Sequence, residues 1–410
     1  MLFRLTFHLI PVIWWIGCGF TILSVSVFAQ FNEQRRTGNF GASLNKIDKK
    51  KEDKTKSQKQ YIDGADDNEM IRVETTLIIN DILVFDKQGK PVKNLKKDDF
   101  IVKEDDKLQE IEVFSFGDSE TIPRSIVLLI DYSGSQLPYI ETSLEAAKVL
   151  VDKLNPTDRL AIVTDSVELV QDFTRDKTLL KEKLESLKRN ALSGSLGQSR
   201  QYSALMAVLN EMFDSSDIRP IIIFQTDGDE LAFLKKEKNI SIQDSRKPNF
   251  SYDDILTATE KTRATIYTII PGLSFMSIST DEQIKRAKKQ LENNEKAFNE
   301  MRNIVFKPDN IKVTETFLQS MAQLYNRQQS AIAAIAKFTG GRTGYLEKPE
   351  QADQVYSAIL ADINLRYLIG YYPANQERNG KRRNVKTEVR GHPEYTVSGR
   401  KTYVLEEANK

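Results

Sequence analysis

Ser125-Ile126-Val127-Leu128-Leu129-Ile130-Asp131-Tyr132-Ser133-Gly134-Ser135 is the stretch whose reading decides the fold. Its apolar half, Ile126 to Ile130, is continuous rather than alternating. A strand of that kind is covered on both faces, as in a parallel sheet with helices above and below. It ends abruptly in one carboxylate and two hydroxyls: Asp131, Ser133 and Ser135. In open α/β sheets, ligands collect outside the carboxyl ends of the strands. Small, hard oxygen groups therefore stand where a binding site is expected. Donors of this type suit Mg2+ or Mn2+, with Ca2+ as a further hard cation.

Composition narrows the chemistry. The chain has one cysteine, Cys18, and two histidines, His8 and His392. Cys18 and His8 both lie in an apolar N-terminal segment. Without that segment, neither a Cys/His zinc site nor a disulfide can form. Cys–His catalysis falls with them. A Ser–His–Asp triad would have to use His392, in the turn Gly391-His392-Pro393, and no nucleophile elbow accompanies it. The 410 residues allow two or three domains. A formal net charge of +1 provides no overall field toward nucleic acid, so no nucleic-acid partner is expected.

Residues 1–29 read as a signal peptide or membrane anchor. Arg4 is followed by a mostly apolar run from Leu9 to Phe28, and Val27-Phe28-Ala29 precedes a cleavage point at Gln30. The run is nearly long enough to cross a bilayer, so anchoring through residues 5–28 is the alternative to cleavage. Trp15-Ile16-Gly17-Cys18 faintly resembles a lipoprotein site, but the apolar run continues past Cys18. Each reading places the bulk of the chain outside the cytoplasm: secreted, periplasmic or membrane-anchored. A mature chain without cysteine suggests a bacterial envelope protein. Residues 30–70, rich in Lys, Asp, Gln, Asn and Gly, show no apolar period and read as a disordered linker.

Three segments follow. Residues 71–116 read as β: an apolar run Val73–Phe85, a turn at Asp86–Pro91, then a hairpin of Phe100–Glu104 and Ile111–Phe114 around Asp105-Asp106-Lys107. Residues 122–364 alternate strands and helices, which predicts an α/β, doubly wound, mostly parallel, Rossmann-like sheet. Helices are expected over Leu144–Leu154, Lys177–Leu187, Ser203–Phe213, Asp254–Arg263, Ile332–Phe338 and Val355–Ile363. Residues 365–405 return to β, with strands over Tyr367–Tyr372, Val385–Val389 and Thr402–Leu405. Neither β segment closes a good core alone, so both are expected to share one small β-sandwich that flanks or receives the α/β domain.

Three loops are candidates for one site. The first carries Asp131, Ser133 and Ser135. The second is Gly197-Gln198-Ser199, where the hydroxyl could equally cap a helix. The third is Asp227-Gly228, which alone reads as a turn. They meet if the strands 125–130 and 218–224 are neighbours in a sheet whose order reverses at the first of them.

Asp131-x-Ser133-x-Ser135, followed by Ser199 and Asp227, resembles the metal-ion-dependent adhesion site (MIDAS) of von Willebrand factor type A domains. The chain more narrowly resembles bacterial relatives with β segments on both sides. Lys90-Pro91-Val92, Asp98-Asp99-Phe100, Thr339-Gly340-Gly341-Arg342 and Tyr367-Leu368-Ile369-Gly370-Tyr371-Tyr372-Pro373 carry that likeness. Ser199 stands where the family usually has Thr, Gln198 where a second Gly is common, and residues 273–330 form a long helical insertion. The resemblance implies that Ser133, Ser135 and Ser199 bind the ion directly. Asp131 and Asp227 would act mostly through water, leaving an open position for a partner's Asp or Glu.

The implied function is a metal-dependent protein–protein interaction module of adhesion type, not an enzyme. A metal-free structural envelope protein is the alternative. A Mg2+-dependent hydrolase fits less well, because Ser133 stands where an aspartyl-phosphate enzyme wants a second acid, and no Gly-rich loop with a Lys cradles phosphate. The insertion follows strand 265–270, so it is expected beside the site, where its helices would set partner choice.

Overall fold

The computed structural model describes residues 39–44, 77–117, 123–214, 217, 219–234, 248, 250–302 and 313–405. The expected targeting segment and most of the expected linker lie outside the described residues. Among those described, no helix is long and apolar enough to cross a membrane.

Four strands precede the α/β region: β1 (Ile78–Phe85), β2 (Phe100–Glu104), β3 (Lys107–Gln109) and β4 (Val113–Phe116). The central sheet then takes β5 (Arg124–Ile130), β6 (Arg159–Thr164), β7 (Glu168–Thr174), β8 (Arg219–Gln225), β9 (Thr265–Pro271) and β10 (Thr343–Leu346). Its order is β10-β9-β8-β5-β6-β7, with only the edge strand β7 antiparallel. The chain runs outward from β5 to β7, then returns to β8 on the other side of β5. The order therefore reverses at β5, as the sequence predicts.

Burial explains the unbroken apolar run. Ile126, Leu128 and Ile130 meet α1 (Ile140–Lys153), α2 (Lys177–Leu192) and a later helix over Ala352–Asn364 on one face. Val127 and Leu129 meet α3 (Gln201–Glu211), α4 (Tyr252–Thr262) and the end of a helix over Glu315–Phe338 on the other. Local signals set the helix starts. Asp176 caps α2 by accepting from the N–H groups of Thr178 and Leu179. Ser251 and Asp254 cap α4 reciprocally. Each cap is worth about 1 kcal/mol.

Between β9 and β10 stand α5 (Thr280–Arg302) and α6 (Glu315–Phe338), followed after β10 by α7 (Ala352–Asn364). α6 corrects the expected separate helix at Ile332–Phe338: it is one helix of 24 residues whose second half belongs to the core. Only α5 and the first half of α6 stand clear as an insertion, around a small cluster of Leu273, Phe275, Ala287 and Ala322.

The last strands are β11 (Tyr367–Tyr371), β12 (Arg382–Val389), β13 (Thr396–Ser398) and β14 (Thr402–Val404). They complete two four-stranded antiparallel sheets, β13-β1-β11-β4 and β14-β12-β2-β3. Each sheet draws strands from both sides of the α/β region: Ile82 lies opposite Tyr367, and Val102 opposite Thr387. Ile82, Val84, Phe100, Val102, Tyr367, Ile369 and Tyr403 fill the space between the sheets. The hairpin at Asp105-Asp106 also needs correction. Its second strand is Lys107–Gln109, whereas Val113–Phe116 crosses to the other sheet and pairs with β11. Both turn residues have positive φ, 44° and 65°, as a tight two-residue hairpin requires.

The sandwich sits at the amino edge of the central sheet. Arg219, the first residue of β8, pairs with Asp81 of β1 at 3.2 Å and donates to the Ile363 carbonyl at 3.0 Å. Arg366, buried, pairs with Asp362 and donates to the Asp81 carbonyl at 2.9 Å. The carboxyl edge, where the three candidate loops emerge, faces away from this joint.

Candidate metal centre

β5 and β8 are neighbours, and their register continues past the strands: the Asp131 N–H donates to the Gln225 carbonyl at 2.9 Å. This fixes the first and third loops side by side. Asp131 Oδ1 accepts the N–H and hydroxyl of Ser133, at 3.0 and 2.6 Å. The Ser133 and Ser135 hydroxyls lie 3.1 Å apart. Asp131 Oδ2 accepts the Thr226 hydroxyl and the Gln201 amide, both at 2.9 Å. Asp227 Oδ2 accepts the Gln136 amide at 2.6 Å.

A third acid joins them. Oxygens of Asp131, Asp227 and Asp229 all lie within 4.8 Å of one another. Gln201 bridges two of the three, because the nitrogen that reaches Asp131 also reaches Asp229 Oδ1 at 2.5 Å. Asp131 is buried, whereas Asp227 and Asp229 are half-buried and open toward the surface.

The second loop is anchored by backbone contacts. Ser133 and Gly197 form a parallel bridge, and the Gly197 N–H donates to the Tyr132 carbonyl at 3.0 Å, so the loop lies against the first. Ser199, however, is held through its backbone. Its φ is 53°, and its N–H donates to Asp165 Oδ2 at 2.8 Å. Asp165 also accepts the Tyr132 N–H at 3.2 Å, so one carboxylate ties the two loops together. A Cβ on Gly197 would lie 2.1 Å from Asp165 Oδ1, which is why the loop needs glycine there. The structure thus gathers Asp131, Ser133, Ser135 and Asp227. The backbone N–H of Ser199 is tied to Asp165, beside that group.

Sequence reading missed Asp165, Gln201 and Asp229. Two of them left a signal. Asp165 follows β6 at the same edge as Asp131. Asp227-Gly228-Asp229-Glu230 places three acids just after a buried strand.

Electrostatics follows from this crowding. Burial raises Asp131, against the hydrogen bonds from Ser133, Thr226 and Gln201. Burial and then the charges of Asp229 and Asp131 push Asp227 well above the usual carboxylate range. Burial, followed by the charge of Asp131, lifts Asp229 to about 7 and Asp165 to about 8. Burial also lifts Glu230 to about 7, although it caps α3 through the N–H groups of Tyr202 and Ser203.

A pH dependence follows. In the unfolded chain these acids lose their protons near pH 4. The folded protein holds them longer, so the unfolded state is favoured progressively as pH rises. With divalent cations removed, the melting temperature should fall between about pH 4 and pH 8. A melt flat across that window in chelator would contradict the crowding.

Residues 126–230 match the family model of the von Willebrand factor type A domain. No curated protein sequence matches the chain. Among solved structures, BatB from Bacteroides thetaiotaomicron is 13% identical, with a TM-score of 0.34 over 58% of this chain and 98% of that one. The von Willebrand factor domain of the type V pilus tip protein Mfa5 from Porphyromonas gingivalis is 12% identical, at 0.33 over 59% and 95%. The manganese-loaded TRAP protein of Plasmodium vivax is 11% identical, at 0.30 over 72% and 99%. The segment matched by the family model runs from β5 through the loop after β8 and carries every acid and hydroxyl of the loop cluster, so the chain contains a von Willebrand factor type A domain over this segment.

Proposed function

We propose that the α/β domain holds a divalent cation at its carboxyl edge and uses it to dock an acidic residue of a protein partner. The observation that carries this is the meeting of three carboxylates, Asp131, Asp227 and Asp229, within 4.8 Å. Carboxylates this close repel unless a proton or a cation lies among them. Their hydrogen-bond partners given above are neutral: hydroxyls, side-chain amides and a backbone N–H.

The donor set fits a hard ion. Asp131, Ser133, Ser135, Asp227 and Asp229 would hold Mg2+, Mn2+ or Ca2+, with Ser199 as a further hydroxyl on the adjoining loop. Bound there, the ion would supply a fixed positive charge for a partner carboxylate. Asp229 alters the balance implied by hydroxyl ligands alone, because a third carboxylate neutralises more of the ion's charge. On this reading the module works outside the cytoplasm, delivered or anchored by the apolar segment at residues 5–28.

Partner choice falls to the insertion. Tyr139, beside the first loop, donates to Gln290 of α5 at 2.8 Å. Tyr325 of α6 is raised to about 12, mainly by burial and then by the charge of Asp227, with smaller contributions from Tyr139 and Asp229. Both helices therefore stand next to the acid cluster, and their exposed faces would meet whatever docks there.

The test is thermal. With Mn2+ or Mg2+ at 100 times its dissociation constant, linkage gives about 2.7 kcal/mol, or roughly 5–10 °C in melting temperature. Asp131→Ala should keep its far-UV circular dichroism and lose the shift. A wild-type melt that ignores millimolar Mn2+, Mg2+ and Ca2+ would leave the domain metal-free and the proposal wrong.

A further inference from the structure

The segment Asn39-Phe40-Gly41-Ala42-Ser43-Leu44 lies within the stretch expected to be featureless linker, yet it is docked on the α/β domain. Phe40 and Leu44 pack against the apolar cluster under α3, as do Val167, Phe173 and Phe213. The N–H groups of Gly41 and Ser43 donate to the two carboxylate oxygens of Glu211, at 2.9 and 2.8 Å.

Each side of this contact is shaped for the other. Gly41 has φ 89°, and a Cβ there would sit 2.9 Å from Val167 Cγ1, so only glycine allows the approach. Glu211 is the last residue of α3, where a carboxylate opposes the helix dipole. Two N–H donors from the segment give it partners. Val167 itself holds φ 60°, a costly conformation for a β-branched residue, and its side chain forms the floor that Gly41 covers. The fit is not maximal, because the buried Ser43 hydroxyl has no hydrogen-bond partner among the described residues.

We propose that this groove is a peptide-binding site and that residues 39–44 are its built-in, releasable ligand. The ligand class is a short peptide with an aromatic residue, then glycine, and an aliphatic residue four positions after the aromatic one. It is recognised by apolar packing and by one carboxylate reading two backbone N–H groups. Residues 45–76 connect the ligand to β1. A flexible connection of that length would set an effective concentration on the order of millimolar, so the groove would stay filled against weak competitors and open to tight ones. The inference does not depend on the metal reading.

Hydrogen exchange on the full chain tests it. Amides of residues 39–44, and of 167–173 and 211–213 opposite them, should be protected in the wild type. In the Phe40→Asp/Leu44→Asp variant both sets should exchange at least tenfold faster, with the central sheet unchanged. Glu211→Ala alone should speed exchange at Gly41 and Ser43. A synthetic peptide of residues 39–44, added at several millimolar to the double variant, should restore protection at 167–173 and 211–213. Equal exchange of 39–44 in wild type and variant would show that the segment is not docked. Failure of the peptide to restore protection would show adjacency without recognition. Either result overturns the proposal.

Discussion

Truncation after Asn364 should leave β1–β4 without a fold while the α/β domain survives. β1 lies between β11 and β13, and both are lost. β4 loses β11, its partner in the sheet, and β2 keeps only the three-residue β3. Tyr367, Ile369, Tyr371, Val385, Val389 and Tyr403 all leave the core between the sheets. A buried side chain of this size contributes about 1.5–3 kcal/mol, so the loss exceeds what a small domain has in reserve. The α/β domain keeps its sheet, both helical layers and the buried Arg124–Asp158 pair. Limited proteolysis of the truncated chain should remove residues up to about 120 and leave a resistant core from near 123 to near 364. A resistant fragment that retains β1–β4 would show that the N-terminal strands need no partners from the other end.

Glu104→Ala should destabilise the sandwich by about 3–5 kcal/mol, the range for uncovering a buried charge. Glu104 is 3% exposed on β2. One of its oxygens takes Arg383 of β12 at 3.0 Å. The other accepts the hydroxyls of Tyr371 on β11 and Tyr403 on β14, at 3.0 and 2.6 Å. One carboxylate thus fastens four strands across both sheets. Burial, with the neighbouring carboxylate, keeps both tyrosines firmly protonated, so they remain donors at any working pH. The alanine variant strands the Arg383 charge and two hydroxyls. Denaturant unfolding should show the midpoint of the sandwich transition falling with little change in slope. A loss under about 1 kcal/mol, the scale of an ordinary surface change, would mean that water reaches Arg383.

The α/β architecture was legible because one physical pattern carried it. A continuous run such as Ile126–Ile130 can only be covered on both sides, and Asp131 after it marks the carboxyl edge of the sheet. The loop cluster was legible to the extent that its residues follow strands. What escaped depends on contacts that no local pattern announces. The polar run Asn326-Arg327-Gln328-Gln329-Ser330 reads as a break, yet α6 continues through it. Gln329 is buried there because it accepts the Phe275 N–H and donates to the Leu273 carbonyl, each at 2.8 Å. Gln201 lies just before the helix expected over Ser203–Phe213, and only the two carboxylates that meet it give it a role. Phe40 and Leu44 are too few to make a period, and only Glu211 and Val167, far along the chain, give them a place.

The position of the sandwich has a mechanical consequence. It sits at the amino edge of the central sheet, and the acid cluster lies at the opposite edge. A load between a docked partner and the chain upstream of residue 39 would first bear on the 39–44 contact with the α/β domain. The first element to yield would be the short 39–44 contact, which peels residue by residue. Only then would tension reach β1, held between β11 and β13 and pinned to the α/β domain through Asp81 and Arg219. The two attachments would therefore yield in turn, the short 39–44 contact before the pairing of β1.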